Sequence, residues 1–176
     1  TENKSILSRF SKNISGDAYL DKDELRKRMR SWTFPLHMID FETSAVALPF
    51  YKGMHPYEQV AFQFSHHIIR RKPDGTYSIE HAGQYINVEK GHFPNFDFVR
   101  ELKRQLETDN GTIFRYATHE NTILRCIHDQ LADSNEPDRQ ELMDWIDTIT
   151  TYKQGSHKIS GPRNMEDLLE VVKSFY

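Results

Sequence analysis

Two acidic side chains stand at the end of a short apolar run in the segment Leu36–Thr43. Asp40 and Glu42 are two positions apart, and in a β-strand such residues project from the same face. Two carboxylates held that close repel each other unless a cation or a proton relieves the repulsion. Oxygen ligands of this kind are the donors that Mg²⁺ and Mn²⁺ prefer. The pair predicts either a divalent-metal site or two solvated acids at a strand end.

Composition sets wide limits on what this chain can do. Its 176 residues suit one domain with an appendage, and a formal charge of −3 leaves nucleic-acid binding open, since a basic patch can be local. One cysteine excludes an internal disulfide and fits a cytoplasmic protein. No apolar run approaches the ~18 residues of a membrane span. The chain lacks an initiator methionine and ends inside an apolar pattern, so we expect a fragment truncated at its C-terminus.

The first part of the chain is polar and charged, and we expect residues 1–31 to form a charged helical extension to a domain over residues 32–176. The extension carries a helix over 21–29, with a basic cluster that a solvated helix face explains better than a phosphate site. Pro35 then opens the first strand, over residues 36–42.

A hairpin follows that strand. The alternation in Val60–Arg70 and Tyr77–Ile86 predicts two strands joined by a turn at Pro73 and Gly75. Polar residues share one face of the first of these strands and either border the acids or belong to a half-exposed sheet: they are Gln63, Ser65 and His67. His66 shares the other face with phenylalanines, so we expect it to be packed.

The second half of the chain alternates helical and strand patterns. We predict a helix through Leu106 after Pro94, a buried strand over 112–117, and a helix over 119–131 with Thr118 as its N-cap. A further helix covers residues 138–149. A polar loop follows, and Asn164 caps a last helix.

This order of elements predicts the fold. Three antiparallel strands, a crossover helix and a fourth strand beside the first give a mixed α/β sheet of the ribonuclease H-like kind, flanked by helices. A right-handed crossover makes the fourth strand parallel to the first, so its carboxyl end lies near Asp40 and Glu42. Glu120, in the first turn of the next helix, shares the inward face of Ile123 and Leu124. The helix dipole alone would favour an acid there by ~0.3–1 kcal/mol, but the topology also carries it toward the pair.

Three segments together resemble a known family: Pro35–Thr43, Pro56–His67 and Tyr116–Leu124. The motif Ile39–Thr43 resembles the first motif of the DEDD superfamily of 3′–5′ exonucleases, which have a ribonuclease H-like fold. The region from Pro35 onward is similar, more narrowly, to a bacterial domain-of-unknown-function family within that superfamily.

The resemblance implies metal-dependent hydrolysis of phosphodiester bonds in DNA or RNA, with two Mg²⁺ or Mn²⁺ ions held by four carboxylates. Asp40 and Glu42 match the first two acids, and Glu120 stands where most relatives carry Asp. Thr43 is expected to hydrogen-bond the terminal nucleotide, with Gln63 and His67 as further substrate contacts. The fourth acid and its water-orienting His or Tyr are expected beyond Tyr176, because the nearest acid is better explained as a helix cap. That acid is Asp167.

Two alternatives remain open on the sequence alone. A catalytically incomplete ribonuclease H-like domain would bind nucleic acid or a protein partner without cutting. A small-molecule hydrolase would use the same carboxylates. The expected partner of the nuclease is a single-stranded DNA or RNA end, and no membrane is expected.

Overall fold

The structure, a computed structural model, describes residues 20–176. In that range the chain forms five helices and seven strands, in the order α1 (Lys22–Arg30), β1 (Leu36–Ser44), β2 (Val60–Arg71), β3 (Tyr77–Ile86), α2 (Asn95–Leu106), β4 (Ile113–Arg115), α3 (His119–Ala132), α4 (Arg139–Ile149), β5 (Thr151–Gln154), β6 (His157–Ser160), β7 (Glu166–Asp167) and α5 (Leu168–Phe175). The part of the predicted extension before residue 20 lies outside the described residues.

The main sheet has five strands in the order β3-β2-β1-β4-β7. β1 pairs antiparallel with β2, and β2 pairs antiparallel with β3. β4 runs parallel to β1, after the crossover through α2, and β7 runs parallel to β4. This mixed α/β sheet flanked by helices confirms the predicted fold class and is consistent with a ribonuclease H-like arrangement. Because β4 and β1 are parallel, their carboxyl ends lie at the same edge of the sheet.

The core lies on one face of this sheet. Ile39 and Phe41 of β1 and Phe64 of β2 pack there against apolar faces of three helices. The helical members recur at intervals of three and four positions, as an inward face requires. They are Phe98, Val99, Leu102 and Leu106 of α2, Ile123, Leu124, Ile127 and Leu131 of α3, and Leu142, Trp145, Ile146 and Ile149 of α4. The helix periods read from the sequence are therefore confirmed.

The opposite face of the sheet is less covered. In β1 the residues that alternate with the core positions are half-buried Met38 and the exposed Asp40 and Glu42. At β4 this face is closed by Trp32, whose ring meets that of Phe114 edge-on at a centroid distance of 4.8 Å. The chain around α1 thus covers the β4 side of this face, and the acids of β1 stay accessible.

Two predictions for the last third of the chain are wrong. The polar loop after α4 is instead a two-stranded hairpin of β5 and β6. The last helix begins at Leu168 rather than beside Asn164, because Asp167 occupies the N-cap and accepts hydrogen bonds from the first-turn backbone. Met165 is only 1% exposed, so the segment before the helix packs this side chain in the core, and the helix begins after it.

In the range from residue 20 to 176, none of the helices is both long enough and apolar enough to span a bilayer.

Candidate active site

The end of β1 presents two carboxylates on the accessible face of the sheet. Asp40 and Glu42 are both exposed, whereas Phe41 between them is buried in the core. The antiparallel register places Asp40 opposite Ser65 and Glu42 opposite Gln63. Side chains of directly opposed residues lie on one face with Cβ atoms about 4.5–5.5 Å apart. Gln63 and Ser65 therefore border the acids.

Glu120 is the unusual member of the predicted site. Glu120 is only 3% exposed, and its Oε2 has no hydrogen-bond partner. Burial raises the pKa of the Glu120 carboxyl, and the negative charge of Asp40 raises it further. A hydrogen bond from its own backbone N–H and the electrostatic interactions with His119 and Arg115 lower this pKa. An orphaned carboxylate oxygen is costly in a folded protein, so this site is set up to accept a proton or a cation.

The turn before α3 directs Glu120 toward the end of β1. Ala117 adopts a left-handed conformation with φ 65°, which is uncommon for a residue other than glycine, and its N–H donates to Asp167 Oδ1 at 3.1 Å. On the other side of the turn, the ring Nε2 of His119 lies 3.3 Å from Thr43 Oγ1. These contacts tie the first turn of α3 to both β1 and the start of α5.

The predicted cap of α3 is correct in position but not in chemistry. Thr118 occupies the N-cap, yet its side chain makes no capping hydrogen bond. Its carbonyl oxygen instead accepts from the backbone N–H and the hydroxyl of Thr122. None of the first-turn N–H groups of α3 is therefore bonded to the N-cap side chain.

The predicted metal ligands are only partly assembled. Asp40 is close enough to Glu120 for its charge to influence that carboxyl, and Glu42 shares the face of Asp40. Among residues 20–176, however, no group of three His, Cys, Asp or Glu side chains is arranged to hold a metal ion. The donors present are all carboxylate oxygens, and one of them is unpartnered. That chemistry would suit a hard divalent cation, which Asp40, Glu42 and Glu120 would hold.

The predicted substrate contacts occupy different places. Thr43 follows the two acids and contacts His119. Gln63 lies beside Glu42. His67 is opposite Met38, farther from the acids along β1, and its Nε2 is 3.3 Å from Nδ1 of His81 on β3.

Asp167 is engaged in structural contacts, as the capping interpretation predicts. Its Oδ1 accepts from Leu169 N at 3.0 Å, and its Oδ2 lies 2.9 Å from Nη1 of Arg115. Arg115 was not among the predicted site residues. An arginine at the end of a buried strand is nevertheless a signal in itself, since this residue type is rarely buried without a partner.

Comparison with known protein families gives one finding of note. Residues 37–176 match a family model described as Domain of unknown function (DUF2779). No curated protein and no solved structure matches the chain.

Proposed function

Because this chain belongs to the DUF2779 family, whose description assigns no activity, we propose its function from the site: a metal-dependent nuclease that hydrolyses phosphodiester bonds of DNA or RNA. The finer proposal is a 3′–5′ exonuclease of the DEDD type acting on a single-stranded end. The resemblance of Ile39–Thr43 to the first DEDD motif supports this, as does the sheet order.

The observation that carries the proposal is the state of Glu120. A carboxylate that is 3% exposed, with an unpartnered Oε2 and a second carboxylate near enough to raise its pKa, is an expensive arrangement. Strongly perturbed acids of this kind cluster at functional sites. A purely structural acid at a helix start would instead face solvent or pair with a base.

In this proposal some side chains bind the metal and others position the substrate. Asp40, Glu42 and Glu120 would hold the cation, Mg²⁺ or Mn²⁺, and the DEDD type of chemistry uses two such ions. When bound, the metal supplies the positive charge that an attacked phosphodiester needs. Thr43, at the end of β1, would hydrogen-bond a terminal nucleotide, and Gln63, which is paired with Glu42, would contact the same substrate.

The test is degradation of end-labelled single-stranded DNA and RNA in Mn²⁺, with EDTA as the metal-free reference. We expect shortening from the 3′ end, and a loss of about 100-fold or more in Asp40→Asn, because replacing a ligand costs more than replacing its supporting groups. Asp144→Asn is the matched control, since Asp144 is an exposed acid on α4. Unchanged activity in Asp40→Asn, with circular dichroism like that of the parent, would refute the metal role.

One observation favours a second candidate, a domain that binds nucleic acid without cutting it. Over the described residues 20–176, no three potential metal ligands come together. This candidate predicts binding of single strands that is equal in Mn²⁺ and EDTA, and no degradation in either. The nuclease proposal predicts degradation in Mn²⁺ alone.

A further inference from the structure

A cavity of about 770 Å³ opens beside the candidate active site. It lies between the β5–β6 hairpin, the start of α3 and the last helix, α5. Thr118 and Asn121 of the α3 region line it, together with Lys153 and Lys158 of the hairpin and Arg115 at the end of β4. Three acids also line it, and each has a cationic partner: Glu166 pairs with Arg28, Asp167 with Arg115 and Glu170 with Lys173. Lys153 and Lys158 do not belong to the acid site described above, whereas the charge of Arg115 lowers the pKa of Glu120.

The two lysines stand directly opposite each other on the hairpin. The register pairs Lys153 with Lys158, and both are exposed. Like charges in such a cross-strand pair repel each other. Within residues 20–176 neither lysine has a carboxylate at ion-pair distance, so no carboxylate of this range relieves the repulsion. Two unneutralised ammonium groups at one cavity wall favour an anionic ligand.

Arg115, another lining residue, gives an independent indication. Its side chain is 10% exposed, and its Nε has no hydrogen-bond partner. Its Nη1 lies 2.9 Å from Asp167 Oδ2 but is not aligned for a hydrogen bond. A buried guanidinium N–H without an acceptor is rare, and this residue lines the cavity. Phosphate oxygens are the acceptors that a guanidinium suits best.

The cavity and the acids meet at the first turn of α3. Thr118 and Asn121 line the cavity, while His119, between them, contacts Thr43 at the end of β1. Glu120 belongs to the same turn. The first turn of α3 therefore contributes residues both to the cavity lining and to the acid site.

We propose that Arg115, Lys153 and Lys158 bind consecutive phosphates of a single nucleic-acid strand whose end lies at Asp40 and Glu120. The route of the strand rests on the proposed function. The binding of a phosphate backbone by the cavity does not, because it requires neither a metal nor a cleavage step.

Binding is measured by fluorescence anisotropy of labelled single-stranded DNA and RNA oligonucleotides in EDTA, over a series of KCl concentrations. The test variant is Lys153→Gln/Lys158→Gln. Single-strand affinity depends on log salt with a slope of about −0.7 for each phosphate neutralised, so we expect weaker binding and a slope shallower by about 1.4. The matched control is Arg71→Gln/Lys72→Gln, which removes two exposed charges from the hairpin end far from the acids.

Arg115 is tested by Arg115→Gln beside Arg115→Lys. The lysine variant keeps the charge near Asp167, so it preserves the fold if the glutamine variant does not. Lysine lacks the planar fork of arginine, and both variants are expected to bind the oligonucleotides more weakly than the parent.

The outcomes separate this inference from the nuclease proposal. Parental affinity and salt slope in the double lysine variant, or no binding of either oligonucleotide, would overturn the phosphate site. Lysine-dependent binding in EDTA without any degradation in Mn²⁺ would support the phosphate site and contradict the nuclease. Degradation that is lost in Asp40→Asn but unaffected by the lysine changes, with binding equal to that of the parent, would support the nuclease and contradict the phosphate site.

Discussion

The ring Nδ1 of His37 lies 2.9 Å from the ring Nε2 of His66 inside the core face of the sheet. Both residues are 0% exposed, and their other ring nitrogens contact Asp109 Oδ1 at 2.8 Å and Gln105 Oε1 at 3.0 Å. This row of polar groups joins β1 and β2 to the end of α2. The expectation that His66 is a packed histidine is confirmed, and its packing is polar as well as apolar.

The buried histidine predicts a pH-dependent stability. Burial lowers the pKa of His66, so the folded protein keeps it neutral at a pH where the unfolded chain, near pKa 6.5, gains a proton. Its contribution is present above about pH 6.5 and is lost as pH falls below that value, by up to about 1.4 kcal/mol per pH unit. Urea unfolding at pH 7.5, 6.5 and 5.5 measures it.

The variant that isolates this effect is His66→Gln, which keeps a hydrogen-bonding side chain without a titrating ring. We expect a shallower dependence of the unfolding free energy on pH between 7.5 and 5.5. The control is His157→Gln, because His157 is exposed on β6. A slope equal to that of the parent in His66→Gln would show that this histidine does not limit stability in acid.

For Glu120 we predict a pH dependence of stability that is opposite in sign to that of His66. Because burial raises its pKa, its contribution to stability is present below the ordinary value of 4.5 and is lost as pH rises through the folded value. At pH 7 the buried carboxylate therefore destabilises the metal-free protein. We expect Glu120→Gln to raise the unfolding free energy in EDTA by about 1–3 kcal/mol, measured by urea titration.

The same variant tests metal binding through a second readout. A ligand that binds only the folded state at 100 times its Kd adds about 2.7 kcal/mol, and we expect Mn²⁺ to stabilise the parent but not Glu120→Gln. The comparison variant is Glu42→Gln, whose exposed side chain should leave stability in EDTA within about 0.5 kcal/mol of the parent. A destabilised Glu120→Gln in EDTA would contradict the account of Glu120 as a costly acid.

At Gly111 we predict a large loss of stability when one carbon is added. A Cβ there would stand 1.9 Å from the backbone oxygen of Pro35 and 2.8 Å from Nε2 of His37. Backbone atoms cannot yield as a flexible side chain does, so Gly111→Ala should cost about 1–3 kcal/mol or more. Thermal and urea unfolding measure the loss.

The reference for this change is Gly155→Ala in the β5–β6 turn. A Cβ at Gly155 meets nothing within 4 Å, but its φ of 62° is strained for alanine, so about 1 kcal/mol is expected. If Gly111→Ala were no more destabilising than Gly155→Ala, the close approach of Pro35 would not constrain this position.

The sequence pattern predicted the elements that carry strong periodicity. α2, α3 and α4 and the β2–β3 hairpin were found within a few residues of their ends, because three- to four-residue and two-residue periods are imposed by burial on one face. The β5–β6 hairpin was missed, since its strands are four residues each and mostly exposed, and they carry no apolar alternation.

By itself the sequence determined the order of elements from α1 to α4, the acid pair Asp40 and Glu42 on one strand face, and the family resemblance, since these depend on local spacing. Only the tertiary structure decided that Glu120 is buried with an unpartnered oxygen and that Arg115 lines a cavity with Lys153 and Lys158. Burial and unsatisfied donors arise from contacts between residues far apart in the chain. The spacing of residues within one segment does not predict which of those contacts are made.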